Sequence, residues 1–493
     1  MQPQTRFLSD DLIVQIVSEA KDVLEGLGID IASPEVVDIL HGHGASIRSD
    51  GRVCIPPDLV DKALASAPDV VRLEGTSEDH SLRLGDGNVH FTPGSSALAI
   101  VDWPSGQART PTTTDYVRYA RLVDALEYLD SQSTAFIPGD VPEAVSDSYR
   151  LYLSLTHGAK PVVTGTFSPK GYSVMRELLV AARGGGDELR AHPLAMFTVC
   201  ATSPLAWSQE ALGPFLGCVR DGIPVEVVTM PLAGLNAPVT LVGTLVQHAA
   251  EVLSGMVIGQ LAAPGAPMVY GSSAAAFDVR FGSAPLGAVE TMMLGCGVSQ
   301  VGRHLGLPTQ AYIGLSDAKM LDAQAGWETG MGATLAALAG IDECSGPGML
   351  DLENCHSLEK LVLDNEICGA VKRLRRGMEA RDDFPALPRM EELLREGHLL
   401  ISDHSRAHLR DEHFIPDRLV DRAPRPRWVE DGSSVLGERI QARIAQILEA
   451  HTPPPLADGV EGALTEIMAS AARDAGLDNL PEQPDATGKG TGA

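Results

Sequence analysis

An α/β fold is predicted by three features of the 493-residue chain. From Ser131 onward, strand-like runs recur at steps of about thirty residues: SQSTAFI, PVVTGTF, LAMFTVC, PVEVVTM, PMVYGSS and TQAYIGL, with a weaker one at GIDECSG. Helical runs lie between them, so the chain is carried back after each strand and consecutive strands must be parallel. No GxGxxG turn follows the first strand, which removes the usual mark of a doubly wound sheet. Together these predict a (β/α)8 TIM-type barrel with an N-terminal α+β segment and a C-terminal helical extension. Six or seven units are legible; AAAFDVRFG after Ser273 and the stretch 398–402 are the candidates for the missing strand.

Taken in order, residues 1–125 form helices and short antiparallel strands packed on the barrel. Ser9-Asp10 caps a helix through about Leu27, Ser33–Gly42 reads as a second, and IPPDLVDKALASAP as a third bracketed by prolines. VVRLEG, HSLRLGDGNVHFTPG and SALAIVDWPSGQARTP alternate like antiparallel strands, with turn signals at Gly85-Asp86-Gly87 and Pro104-Ser105-Gly106. Residues 126–376 are the barrel core. Its best-marked unit is Pro224–Ser273, where Leu245, Val246, Ala249, Val252, Leu253, Met256, Val257 and Leu261 gather on one helical face. His248 and Glu251 fall outside that face. Residues 377–480 form the extension and 481–493 a disordered tail.

The net charge of −27 argues against nonspecific nucleic-acid binding, since a polyanion would be repelled. Seven scattered cysteines with no CxxC pair fit reduced thiols in cytoplasm. The first residues lack a signal-peptide core, and no run reaches ~18 uninterrupted apolar residues, so no membrane span is expected.

Chemistry in a barrel belongs at the carboxyl ends of the strands. Those ends, such as Gly165-Thr166-Phe167 and Ala201-Thr202-Ser203, are small and hydroxylic. Glu226 lies inside an apolar strand, so it faces the lumen or pairs with a base. Tyr270 and Tyr312, late in two strands, either wall a pocket or pack in the core. Trp327, with Asp317 and Glu328 nearby, either covers a cationic ligand or packs on a helix. His404 and His408 have the H-x3-H spacing, with His413 beyond, but no Glu follows the first His as in HExxH. No GxSxG or P-loop is present either.

Long phrases then carry a resemblance: PLAGLNAPVTLVGTLVQHAAEVLSG with PGAPMVYGSS, FDVRFGSAPLGAVET, SDAKMLDAQAGWETGMGATLAALAG and GPGMLDLENCHSLEKLVLDNEICG. Over roughly residues 8–460 the chain resembles the trimethylamine methyltransferase family. The resemblance implies a barrel that takes a methyl group from a methylated amine and hands it to the cobalt of a corrinoid (cobalamin) carried by a separate protein. The trimethylamine enzymes of methanogens carry pyrrolysine near the barrel mouth, whereas this chain has ordinary residues there, including Ala339–Met349. Members without pyrrolysine are similar to glycine betaine methyltransferases, so a quaternary amine such as glycine betaine is the expected donor. On this resemblance Tyr270, Phe277, Tyr312 and Trp327 form an aromatic cage, and Glu226 or Asp317 supplies the opposing charge. Arg280 meets a betaine carboxylate or pairs structurally with Asp278 or Glu226. Asn236 and His356 are further polar candidates. No protein-bound metal is expected, and a homo-oligomer is. Two alternatives stay open: a noncatalytic barrel that binds quaternary amine or corrinoid, and a methyltransferase for another methylated amine.

Overall fold

The computed structural model describes residues 2–483 except 78, 86 and 167. Eight strands alternate with eight helices. The strands are β1 (His90–Thr92), β2 (Gln132–Ser133), β3 (Val162–Thr164), β4 (Ala195–Cys200), β5 (Val225–Val228), β6 (Met268–Tyr270), β7 (Gln310–Tyr312) and β8 (Glu343–Ser345). The helices that follow them are α1 (Thr113–Ala125), α2 (Glu143–His157), α3 (Pro169–Arg183), α4 (Gln209–Asp221), α5 (Leu241–Ala262), α6 (Val289–His304), α7 (Ala323–Ala339) and α8 (Leu358–Arg376).

Every neighbouring strand pair is parallel. β2 through β6 make one sheet, and β7, β8 and β1 make another. The parallel bridge Tyr270↔Thr309 joins the sheets at one seam and Ala97↔Phe136 at the other, so the eight strands close into a ring. The amide of Asp130 donating to Phe91 O at 2.8 Å reinforces the second seam. Closure leaves no strand edge exposed, and the ring helices bury its outer face.

The missing strand is therefore β1, which the sequence pattern places among antiparallel strands. Glu343 pairs with His90 and Ser345 with Thr92, in parallel. Period-two alternation shows that a segment is a strand but says nothing about its partner. Neither candidate for the missing strand joins the ring. Ala275–Ala276 pairs with Leu232–Ala233 at the rim, and 398–402 turns between two helices. The other N-terminal hairpins form as expected, Val71–Glu74 against Ser81–Leu84 and Ala99–Asp102 against Gln107–Arg109. The first of these plugs the ring from below, where Val71, Leu73, Leu82 and Leu84 pack on Val163, Met196 and Val269. The turn signal at Asp86 and the tail from 484 lie outside the described residues.

Helix α5 departs from its one-faced pattern, because His248 and Glu251 are fully buried. The N-terminal helices Asp10–Gly26, Pro34–Gly42 and Pro57–Ser66 pack on it and cover its polar side. Glu251 is satisfied by Ser203 Oγ (2.7 Å), Leu205 N (3.0 Å) and Gln247 Nε2 (3.0 Å). This helix is long and apolar enough to cross a membrane, yet 72% of its apolar window is buried within the fold.

At the C-terminus, Leu436–Ala450 packs on α8 and α1, and Val460–Asp474 on α2 and α3. By contrast, Ala386–Glu396 and Asp403–Glu412 bury no side chain. Ion pairs tie them down, among them Arg389–Asp382 (2.7 Å) and Arg381–Glu412 (2.9 Å). Here His404 Nδ1 (2.6 Å) and His408 Nε2 (3.2 Å) both reach Asp382 Oδ1. The three ligand atoms lie within 4.8 Å of one another, a partner for H-x3-H that spacing alone does not reveal. His413 caps the helix apart from them.

Candidate functional site

A cavity of about 400 Å³ opens at the carboxyl ends of the ring strands. Its walls come from Ser95-Ser96 after β1, Thr164–Thr166 of β3, Thr198–Thr202 of β4, Val228 and Met230 of β5, Ser273 after β6 and Tyr312 of β7. Glu353, in the loop after β8, covers one side. Residues of these types make a wall of methyls and hydroxyls into which a few carboxyls project.

Three acidic side chains dominate the electrostatics. Glu226, on β5, accepts a hydrogen bond from Thr198 Oγ1 through Oε1, while its Oε2 has no partner among the described residues. Burial pushes its carboxyl up to about 7. Glu343, on β8, accepts from Thr92 Oγ1 at 2.9 Å and likewise leaves Oε2 unpartnered. Burial and the neighbouring Glu226 push it up as well. Glu353 has no partner for Oε1, and burial pushes it up to about 8. Buried polar atoms without partners are uncommon in native folds, and Glu226, Glu343 and Glu353 each leave one carboxyl oxygen without a partner among the described residues.

Glu353 owes its position to a left-handed turn. Asp351, Leu352 and Glu353 have φ of 52°, 59° and 68°, and none is glycine. Each such residue costs ~1–3 kcal/mol and persists only where its surroundings hold it. Lys319 pairs with Asp351 at 2.8 Å, Asp351 N donates to Ala318 O at 2.9 Å, and Asn354 O accepts from Leu98 N (2.9 Å) and Ala99 N (3.1 Å). Two other groups face the same space. The Tyr312 hydroxyl lies 3.3 Å from Ser95 Oγ, and burial with the nearby carboxyls pushes the Cys200 thiol up to about 12, so it stays protonated.

Of the residues singled out from sequence, the structure brings Tyr312 into the wall and Glu226 one hydrogen bond behind it. The other seven do not line the cavity. Tyr270 alternates with the lumen residue Val269, so it points outward, 5.5 Å from His248 and against Gly302 of α6. Phe277 sits half-buried beyond the rim strands. Arg280 is exposed and clamps Asp278, the structural alternative, with its guanidinium over Phe281. Asp317 accepts from Leu286 N (3.0 Å) and Gly287 N (2.9 Å), pinning the loop before α6, and burial pushes it up to about 6. Trp327 is 62% exposed on α7. Asn236 accepts from Leu232 N at 2.6 Å and organises the loop after β5. His356 is fully buried between Tyr119 (5.2 Å) and Phe136 (5.4 Å), and burial pushes it down to about 3, so it is a neutral packing group.

Sequence reasoning misses Glu343, Glu353, Thr198 and Cys200. Glu343 carries the same mark as Glu226, a charge inside an apolar strand, but the weakness of GIDECSG hides it. Glu353 carries none, because nothing in Asp-Leu-Glu announces a left-handed turn.

The chain matches the profile of the family described as Trimethylamine methyltransferase (MTTB) over residues 1–476. It belongs to the trimethylamine methyltransferase family. Its reaction class is thus methyl transfer. Among its relatives, Trimethylamine methyltransferase MttB of Desulfitobacterium hafniense is 30% identical over 95% of this chain and 94% of its own length. Glycine betaine methyltransferase of the same species is 28% identical over 96% and 98%. MttB of Methanosarcina barkeri is 32% identical over 88% and 89%. The solved monomethylamine methyltransferase of Methanosarcina barkeri superposes with a TM-score of 0.53 at 11% identity, covering 90% of this chain and 89% of that one, which shows a shared fold. Within this methyltransferase, Arg280→Ala is expected to leave the KM for the amine within about twofold, because an exposed ion pair contributes little. Steady-state kinetics checks it, and a tenfold rise would bring Arg280 back to the site.

Proposed function

We propose that the protein moves a methyl group from a quaternary amine to the cobalt(I) of a corrinoid carried by a separate protein docked over the ring mouth. We read the ring as a (β/α)8 barrel of the TIM type, whose chemistry sits at the end where this cavity opens. The observation that supports the reading most is the carboxyl of Glu353 on the cavity wall, with an oxygen left unpartnered and Glu226 one hydrogen bond behind Thr198, which suits a methylated ammonium ion. A quaternary ammonium already carries its charge and departs as a neutral tertiary amine, so the protein needs no general acid. Its own task is to hold the cation with one methyl aimed outward. Glu226 and Glu353 oppose the charge, and the Tyr312 ring offers a face to the methyls.

The mouth fits a flat macrocycle: Ser95, Ser96, Gly165, Ala201, Thr202 and Ser273 put little bulk in its way. The corrinoid supplies a strongly nucleophilic cobalt(I). Exposed apolar side chains on loops after ring strands, among them Leu98, Met230, Leu235, Val239, Phe281 and Met320, suit a docked protein partner. Mixing the protein with free cob(I)alamin or a corrinoid protein and a panel of methylated amines, while following methyl-cobalt(III) formation optically, tests the reading. Turnover is expected with quaternary amines and not with trimethylamine. Silence across the panel, with the corrinoid shown competent by another methyltransferase, would leave a noncatalytic binder.

A further inference from the structure

The acidic and basic side chains that line the cavity are of one sign. Among the described residues that line it, the ionisable side chains besides Tyr312 and Cys200 are Glu353 and Glu210, and none is Arg, Lys or His. Glu226 adds a third carboxyl one hydrogen bond away. One guanidinium stands behind the wall, that of Arg150, whose Nη1 reaches Ser96 Oγ (3.4 Å) and Thr134 O (2.9 Å). Its Nη2 is paired with Asp147 at 2.6 Å, so its charge is answered. The helix N-terminus that opens on the cavity is α4, where Ser208 already accepts the Ala211 N–H and Glu210 occupies the first turn. An anion placed here would meet like charge in a poorly solvated space and find no cationic partner.

We infer that Glu353, held in its left-handed turn over the cavity, is a specificity-determining residue that selects a methylated ammonium cation whose tail carries no carboxylate, of the tetramethylammonium or choline type. The inference rests on the quaternary-amine reading and narrows it. The turn anchored at Asp351 and Asn354 keeps the Glu353 backbone over the cavity, its carboxyl has an oxygen without a partner among the described residues, and a bound cation favours the ionised form of that carboxyl. The hydroxyls of Ser95, Ser96, Thr166, Thr202 and Ser273 suit a neutral tail with a hydroxyl or with no polar group at all. Glycine betaine offers the same trimethylammonium head but brings an anionic tail, against which this wall has nothing to set.

Calorimetric titration of the full chain with tetramethylammonium, choline, glycine betaine and 3,3-dimethylbutan-1-ol, the uncharged isostere of choline, separates charge from shape. Tetramethylammonium and choline are expected to bind at least about tenfold more tightly than either of the others. Glu353→Gln is expected to weaken both cations by about 30-fold while leaving the neutral alcohol unchanged. Glu353→Asp keeps the charge in the same turn and is expected to retain the preference, which serves as the second variant should the first fail to fold. Glycine betaine binding as tightly as choline would overturn the inference and leave the quaternary-amine reading standing. A Glu353→Gln protein whose cation affinities stay within about twofold would overturn it too. Failure of all three ammonium ions both to bind and to yield methyl-cobalt would remove the underlying reading as well.

Discussion

Raising the pH from 6 to 8.5 is expected to tighten binding of a quaternary ammonium ion by more than about tenfold through Glu353 alone. Burial holds Glu353 up to about 8 and Glu226 up to about 7, so without a cation beside them both are largely protonated at pH 6. A permanent cation favours the ionised form, so binding lowers both values and releases protons. Because ligand and proton compete, affinity falls as pH drops below about 8. The groups facing these carboxyls do not blur the effect. Cys200 is pushed up to about 12 and the Tyr312 hydroxyl well above its usual range, so both remain neutral. Glu343 is pushed up by burial and by Glu226, and the nearby Asp130 is held down to about 2, with His90 and Lys372 beside it. Titrations in two buffers of different ionisation enthalpy count the released protons. A flat affinity profile, or no proton release, would mean that the carboxyls do not meet the cation. The same shifts bear on the empty fold. Carboxyls whose folded values lie above their unfolded ones give stability that is present at low pH and lost as pH rises through about 7 and 8. A bound cation is then expected to raise the thermal midpoint most on the alkaline side.

Lys360→Met is expected to destabilise the fold by ~3–5 kcal/mol. Lys360 and Asp364, one turn apart on α8, form an ion pair with both side chains fully buried. Lys360 Nζ also donates to Thr329 Oγ1 of α7 at 2.8 Å, and Asp364 Oδ2 accepts from Gly348 N at 2.7 Å, so the pair ties α8 to α7 and to the end of β8. Removing the lysine alone leaves a carboxylate without its counter-charge in an apolar setting. Burial already pushes Asp364 up, so it would take a proton, and the cost would shrink towards acid pH. Replacing both partners, Lys360→Met with Asp364→Leu, is expected to recover at least half of the loss, since an apolar pair of similar volume needs no solvation. Urea unfolding monitored by circular dichroism measures both. Equal losses in the single and double variants would show that the hydrogen bonds, rather than the charge, carry the contribution.

How much of the site was legible follows from which signals are local. Glu226 stood out because a charge inside PVEVVTM is costly wherever the strand lies, and Tyr312 because a late strand residue has only two faces to choose from. The same reasoning leaves Tyr270 between a pocket wall and the core, and only the family resemblance puts it in the cage. Its parity relative to Val269, which reaches the lumen, turns it outward. Arg280 and Asp278 are two positions apart, so their pairing was open to sequence, whereas their distance from the cavity was not.

The recurring strand and helix runs and the long family phrases were written in local order: the period of hydrophobicity, the cap at Ser9, and the parallel direction that each intervening helix imposes. What only the folded chain decided depends on partners far apart. His90–Thr92 becomes a ring strand because Glu343–Ser345 needs a parallel neighbour some 250 residues away. Glu353 faces the cavity because a left-handed turn, anchored by Lys319 and by the amides of Leu98 and Ala99, holds it there against its backbone preference. Hydrophobic spacing is a property of neighbours along the chain, while closure of a ring and aim of a carboxyl belong to neighbours in space.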